Sequence, residues 1–426
     1  MVKKTMDMGA AECEVCIEDT TETIITLDRK FISGKREKKF TTFGIRTLLN
    51  NKKGFVAGSL PIELYEPEKI SLKIAKASVP DTQWKHLPYP RPATSVTGIY
   101  SKKLAEMPFE NLKDDMVTLI KTGDNPGITL DSGRLSRVVK TFSICNSHGL
   151  SHQYTSTMLN VHFVVRCKTS ESTWGVHHSR GYDCDFFELA AKTVEQAKAM
   201  KTPEKLHSSF TGDAIFLGEP VEDILLTPLR YCFNAQTVKK TRFHRMLHEK
   251  VVSESITMVD DGTIDNGVNT FPIDGEGNPT EKTPLITKGI FSHLLHSEYT
   301  ANVQGVQSTG NGIRSAVTEP GVRITNLILE KGVTSTEELV QQVKKGVIMG
   351  DFSGNVDPFT GLFSGVMEHT FYIEKGEILY PVTGVMIRGN IFDLLNNVIS
   401  VGKEVRTGET GMYTVPVLTG PVDIIV

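Results

Sequence analysis

The chain has 426 residues, of which 39% are hydrophobic and 23% are charged, so it is neither a disordered nor a fibrous protein. Its formal net charge of −3 gives no electrostatic reason to bind nucleic acid, and no apolar run approaches the roughly 18–20 residues of a membrane-spanning helix. Six cysteines are too few for a disulfide scaffold at this length, which predicts a reduced, cytoplasmic protein.

The length favours two domains, and the first half mixes strand and helix patterns. Alternation predicts strands over residues 13–27 and 152–165 and a hairpin over residues 40–58. Helical periodicity predicts helices over residues 67–78, 110–121 and 185–201. We therefore predict a mixed α/β domain over residues 1–215.

The second half is richer in strand patterns. An apolar run at residues 221–226 predicts the first strand, and residues 371–387 predict a hairpin around Lys375-Gly376. Ser335 with Glu338 has the spacing of a capping box, and Asn390 precedes a short helix. We predict a strand-rich domain over residues 221–426, which makes the chain an α+β protein.

Three turns stand out between residues 251 and 315. They are centred on Asp260-Asp261-Gly262, on residues 274–279, and on Gly310-Asn311-Gly312. Asp-Gly and Asn-Gly pairs suit turns because glycine adopts positive φ freely and Asp and Asn tolerate it. Loops at strand ends commonly carry binding, so Asp260, Asp261, Gly310, Asn311 and Gly312 are candidate cleft-lining residues. The alternative is that these turns only connect strands.

Several separated strings resemble the TldD/PmbA family, in the same order and at similar spacing. In the second half they are SITMVDDGTIDNG, DGEGNPTEKTPLITKGI, STGNGIRS, VKKGVIMGDFSGNVDPFTGLFSG and PVTGVMIRGNIFDLLNNVISVG. In the first half they are GAAECEVCIED, TFGIRTLLNNKKGFVAGS and ICNSHGLS. The resemblance therefore covers nearly the whole chain.

The resemblance implies a heterodimeric metallopeptidase made of two related chains. TldD-type chains hold the metal with an HExxxH helix upstream of the VDDGT turn and a cysteine near the C-terminus. In this sequence His248-Glu249 is followed by Val252 and Ser253, so no second histidine follows. Where the cysteine would fall stand Glu409 and Thr410, and no cysteine occurs after Cys232.

These departures imply a TldE/PmbA-type subunit that carries no metal or cofactor of its own. Zinc is then expected on a TldD-type catalytic partner, with small or unfolded peptides as substrates. Two alternatives stay open, namely an independent peptidase with unrecognised ligands and a regulatory binding protein of the gyrase-modulator type. The sequence leaves open whether the chain forms a homodimer when it is alone.

Other candidate sites have a simpler interpretation. We expect His244 and His248 to lie on a solvated basic helix, and His293 and His296 to be half-buried at a helix edge. Cys145, beside His148 and His152, is expected at a core position. Cys13 and Cys16 are expected on opposite faces of a strand. The acidic turns do not follow the ligand order of an EF-hand, which favours turn geometry over calcium binding.

Overall fold

A computed structural model describes residues 1–61, 66–167, 172–408 and 410–426 of the chain. It confirms the α+β class, because helices and predominantly antiparallel strands occur in both halves. Among the described residues, no helix is both long and apolar enough to cross a membrane.

The N-terminal half is built on one antiparallel sheet of six strands, in the order β3-β2-β1-β4-β5-β6. The strands are β1 (Glu12–Asp28), β2 (Phe31–Leu49), β3 (Lys52–Ser59), β4 (Ile128–Asn146), β5 (Ser151–Cys167) and β6 (Ser172–Ser179). The helices are α1 (Val2–Asp7), α2 (Pro67–Ala77), α3 (Lys102–Ala105), α4 (Phe109–Gly123) and α5 (Phe186–Ala199).

Helices α4 and α5 cover one face of this sheet. Buried residues Leu112, Met116 and Leu119 of α4 recur at helical spacing and pack with Val161 and Phe163 of β5. On the opposite face of the sheet, loops from the C-terminal half contact Phe142 and Tyr154.

The predicted hairpin over residues 40–58 is confirmed. Strands β2 and β3 pair from Thr42–Ser59 to Leu49–Lys52. Asn50 and Asn51 between them have φ angles of 52° and 59°, the left-handed conformation that tight hairpin turns require. The predicted helices at 67–78, 110–121 and 185–201 also form, with ends shifted by up to two residues.

The C-terminal half contains the remaining strands. They are β7 (Phe210–Phe216), β8 (Met258–Asp261), β9 (Lys282–Thr287), β10 (Ile290–Phe291), β11 (Gly312–Ile313), β12 (Gly321–Val322), β13 (Leu327–Leu329), β14 (Lys345–Val356), β15 (Leu362–Glu374), β16 (Glu377–Val382), β17 (Val385–Asn390), β18 (Val398–Val401), β19 (Arg406–Thr407), β20 (Tyr413–Thr414) and β21 (Val417–Ile425). Its helices are α6 (Thr227–Phe233), α7 (Glu298–Gln304), α8 (Thr336–Gln342) and α9 (Ile391–Asn396).

Two sheets dominate this half. One has the order β10-β9-β8-β13-β20-β19, and the other has the order β14-β7-β21-β17-β15-β16, with β14 also paired to β15. Strand β7 pairs in parallel with β14 and antiparallel with β21. Residues 210–215, which sequence patterns place at the end of the first domain, are therefore part of the C-terminal sheet.

The prediction of a strand at residues 221–226 is wrong. Val221–Leu226 is a π-helix that leads directly into α6. Val221, Ile224 and Leu225 are all fully buried, and an apolar run that is buried on every side has no periodicity that distinguishes strand from helix.

Candidate functional site

Asp260 lies at the end of β8, and its carboxylate is buried. Its oxygens accept hydrogen bonds from the Thr325 amide at 2.7 Å, the Thr325 hydroxyl at 2.9 Å and the Asn311 side-chain amide at 2.7 Å. These hydrogen bonds favour the charged form, but burial outweighs them and raises the pKa of Asp260 to about 7.

The Gly310-Asn311-Gly312 turn is held against two other loops. Asn311 also donates to the Arg323 carbonyl oxygen at 2.9 Å. Gly310 has a φ of 69°, and a Cβ there would lie 2.3 Å from the Pro279 carbonyl oxygen. A Cβ at Gly312 would lie 2.3 Å from the Glu276 carboxylate, so this close approach also requires glycine.

The acidic turn at residues 274–279 packs against the Gly310-Asn311-Gly312 turn. The Asp274 carboxylate accepts from the amides of Glu276 and Asn278 at 2.9 Å each, and from the Gly312 amide at 2.8 Å. Burial and the nearby Glu276 carboxylate raise the pKa of Asp274 well above its ordinary value. The bonds within the turn support turn geometry rather than a calcium loop.

Asp261 points elsewhere. Its carboxylate accepts from the Thr263 amide at 2.9 Å and the Thr263 hydroxyl at 2.6 Å, and it lies 4.0 Å from the Lys282 ammonium. The structure therefore joins Asp260, Asn311 and Gly312 through one hydrogen-bonded network and leaves Asp261 outside it. That these turns border a substrate cleft stays a prediction; the side chains of Asp260 and Asn311 are turned inward.

A buried ionic cluster, which the sequence analysis missed, connects this network to the N-terminal sheet. Arg46 on β2 contacts Glu14 on β1 at 2.9 Å and Glu276 at 3.2 Å. Arg314 contacts the other oxygen of Glu14. All four side chains are less than 5% exposed. They are separated by as many as 300 positions in sequence, so no local pattern could have grouped them.

A helix upstream of β8 approaches the C-terminal residues at which the resemblance expects a cysteine. This helix is the π-helix continued by α6, and it contacts Thr410 and Met412. Glu222 on it accepts a hydrogen bond from the Thr410 hydroxyl, and Thr227 lies 3.9 Å from the Met412 sulfur. Glu409 lies outside the described residues. Cys232 on α6 is buried, and burial raises the pKa of its thiol to about 12.

These residues do not fit a zinc ion. Zinc sites use thiolate, imidazole and carboxylate ligands, whereas this place presents a threonine hydroxyl, a thioether and a protonated thiol. The Glu222 carboxylate accepts a hydrogen bond from the Thr410 hydroxyl. Across the described ranges, no group of three or more His, Cys, Asp and Glu side chains is arranged to hold a metal.

The segment that the sequence analysis compared with HExxxH has a different structure. The prediction of a basic helix is wrong, because residues 241–249 form successive turns in which Arg245 and His248 have positive φ. His244 and His248 are exposed, as expected for a solvated segment. The His248 amide donates to the Phe291 carbonyl oxygen at 2.7 Å.

The other candidate side chains serve the core or local structure. His296 is buried beside the Thr300 hydroxyl at the start of α7, whereas His293 is exposed rather than half-buried. Cys13 and Cys16 are free thiols in separate hydrophobic clusters, as opposite faces of β1 require. Cys145 is partly buried and packs beside the Cys13 cluster, and burial raises the pKa of its thiol.

Comparisons with known proteins agree with this architecture. The sequence profile of the PmbA/TldA metallopeptidase C-terminal domain matches residues 211–424, half of the chain, and that of the central domain matches residues 102–201. The fold resembles the crystal structure of TldE from Thermococcus kodakarensis, with a TM-score of 0.91 and 20% identity over 100% of this chain and 99% of the other.

Two relatives by sequence are informative. An uncharacterized protein from Methanocaldococcus jannaschii is 25% identical over 93% of both chains. A metalloprotease from Methanothermobacter thermautotrophicus is 37% identical, but over only 38% of this chain and 36% of its own length. Because the family profiles cover the C-terminal half and most of the helical part of the N-terminal half, the chain belongs to the PmbA/TldD metallopeptidase family.

Proposed function

We propose that this chain is a TldE/PmbA-type subunit of a heterodimeric metallopeptidase that degrades or processes small or unfolded peptides. In this proposal the chain binds no metal and forms part of the substrate cleft of a TldD-type catalytic partner. Zinc belongs to that partner. The division of labour keeps the reacting groups on one chain and uses the other to hold the peptide and restrict water.

The observation that carries the proposal is the pairing of Thr227 with Met412 where the helix meets the C-terminal loop. Neither side chain supplies the strong ligands that zinc needs, and Cys232 on the same helix is kept protonated by burial. We therefore infer that this chain gains peptidase activity only through another chain.

The decisive experiment measures zinc by metal analysis after dialysis, for this chain alone and after co-purification with a TldD-type chain from the same genome. We expect no stoichiometric zinc on the isolated chain, and we expect zinc and peptidase activity with the partner. About one zinc per isolated chain would contradict the proposal.

His248 provides a matched test of the same segment. Because it lies on an exposed turn, His248→Ala should leave the activity of the reconstituted pair nearly unchanged. A loss of about a hundredfold or more would mean that this segment takes part in the chemistry.

We further propose that the C-terminal half provides the pairing surface. Leu362 and Val366 on β15, Met386 on β17 and Ile425 on β21 lie on one face of the C-terminal sheet, with Val366 opposite Met386 and Met386 opposite Ile425. Leu362 is 61% exposed and Met386 is 41% exposed. Exposed apolar patches of this kind mark interaction sites, and obligate pairs bury more than roughly 2,000 Å².

Charge insertion tests this surface. Leu362→Asp with Met386→Asp should abolish capture of the TldD-type partner, because two charges would be buried in place of apolar side chains. Val333→Asp, at a residue 90% exposed outside the patch, is the control and should pair normally. Sedimentation of the isolated chain with and without these changes also shows whether two copies use the same patch.

A further inference from the structure

Strand β2 has an unpaired outer edge over half of its length. It pairs with β1 from Phe31 to Leu48, but on its other side it pairs with β3 only from Thr42 onward. The Leu60 amide donates to the Thr41 carbonyl oxygen and marks the end of that pairing. In the parts of the chain that are described, no strand covers residues 31–40, a length of roughly 33 Å.

The side chains along this edge are strongly basic. Residues 35–39 read KREKK, four cations and one carboxylate. Lys38 lies 4.0 Å from Glu22, and Lys35 lies over the Phe109 ring at 3.6 Å. Arg36 and Lys39 form no ion pair with any described carboxylate and are exposed. The edge therefore keeps a local positive charge on a chain whose net charge is negative.

Two exposed aromatic rings flank these cations on the same face of the sheet. Phe40, Lys38 and Arg36 lie opposite Thr20, Glu22 and Ile24 of β1, which share one face by alternation. A bulge between Thr26 and Leu27 shifts the register, so that Phe31 lies opposite Asp28 and returns to that face. Phe31 is 76% exposed and Phe40 is 42% exposed.

An open edge offers backbone donors and acceptors to any extended chain, and the charges decide which chain is accepted. A second copy of this edge would bring like charges opposite each other, which is unfavourable. An acidic strand would place carboxylates beside Arg36 and Lys38, and apolar residues at its ends could pack on Phe31 and Phe40. The complementarity therefore points to one kind of occupant.

We propose that residues 31–40 of β2 bind an extended, acidic polypeptide segment, which adds to the N-terminal sheet as an additional strand. Backbone hydrogen bonds hold the segment, and Arg36 and Lys38 select its charge. This interaction does not depend on a metal or on a TldD-type partner, so its failure and the failure of the proposed function are separate results.

The test uses the full chain and a fluorescein-labelled ten-residue peptide in which glutamate alternates with valine. Fluorescence anisotropy should show saturable binding to the chain, and the same peptide with lysine in place of glutamate should not bind. Arg36→Glu with Lys38→Glu should weaken binding about tenfold or more, because two attractions become repulsions. Lys331→Glu with Lys403→Glu, two exposed positions in the C-terminal half, makes the same charge change and should leave binding intact.

Backbone pairing is tested separately with two peptides that carry N-methyl groups on either the odd or the even residues. Only one edge of an added strand faces β2, so one methylated peptide should bind and the other should not. Equal binding by both would show attraction by charge alone and overturn the added strand.

Tighter binding of a single-stranded oligonucleotide, lost in the Arg36→Glu, Lys38→Glu variant, would assign the edge to nucleic acid and also overturn the proposal. Circular dichroism of each variant confirms that the sheet is intact.

Discussion

At the scale of single residues, the side chain of Asn311 holds its turn against β8 and the Arg323 loop. Its amide is buried and donates to both Asp260 and the Arg323 carbonyl oxygen. We expect Asn311→Ala to lower the free energy of unfolding by roughly 1–3 kcal/mol, because the Asp260 carboxylate and the Arg323 carbonyl oxygen lose a hydrogen-bond donor. Gln307→Ala, at an exposed position in the same loop, is the control and should have little effect. Equal stabilities in urea unfolding would contradict the described network.

Asp260 predicts a specific dependence of stability on pH. Burial raises its pKa from 3.8 to about 7, so the folded protein binds more protons than the unfolded chain between these values. The contribution to stability is complete below about pH 4 and is lost as the pH rises through about 7. Asp260→Asn should remove this part of the slope when unfolding is measured from pH 4 to pH 8. An unchanged slope would show that Asp260 is charged in the fold.

The sequence identified these turns but not the direction of their side chains. Asp-Gly and Asn-Gly pairs have a local conformational preference, so the turns at Asp260 and Asn311 could be recognised directly. Their burial depends on Thr325 and on Asp274, which approach from other loops, and no local preference encodes that contact. The same reason explains why Glu14, Arg46, Glu276 and Arg314 were missed.

At the scale of elements, helix α8 shows what a local signal can predict. Ser335 accepts from the Glu338 amide at 3.2 Å, and the Glu338 carboxylate accepts from the Ser335 amide at 2.7 Å, as the capping-box spacing predicts. Ser335→Ala should lower the free energy of unfolding by about 1 kcal/mol in thermal or urea unfolding. Ser255→Ala, at an exposed serine in a loop, controls for loss of a surface hydroxyl; a larger effect there would contradict the assignment.

The π-helix at Val221–Leu226 shows the opposite case. All of its apolar residues are buried, so the run has no polar face whose spacing would indicate a helix or a strand. His248-Glu249 has the residue types of a metal-binding helix but lies on a segment of turns. The π-helix and α6, rather than the His248 segment, contact Thr410 and Met412 near the C-terminus.

At the scale of the whole molecule, the buried ionic cluster joins the two halves of the chain. Arg314→Met would leave Glu14 with one cation instead of two in a buried site. Glu14 and Glu276 would then share Arg46, which leaves one buried negative charge uncompensated. We expect the free energy of unfolding to fall by roughly 3–5 kcal/mol. Urea unfolding should also become broader or biphasic as the halves uncouple.

A surface pair across the same junction provides the control. Lys53 and Glu319 are 2.7 Å apart but about 40% exposed, and Lys53→Met should cost less than about 1 kcal/mol. If Arg314→Met and Lys53→Met had equal effects, the buried cluster would not be what couples the halves.

The position of β7 has a consequence for how the protein is made. This strand lies between β14 and β21. In the sequence, β14 follows it by more than a hundred positions and β21 by about two hundred. At about 5–20 residues per second, a ribosome needs roughly 10–40 seconds to supply the second neighbour. Until then at least one edge of this strand is open to other nascent chains. Slower translation after residue 216 would prolong that exposure, so the yield of native protein in cells should depend on chaperone supply rather than on final stability alone.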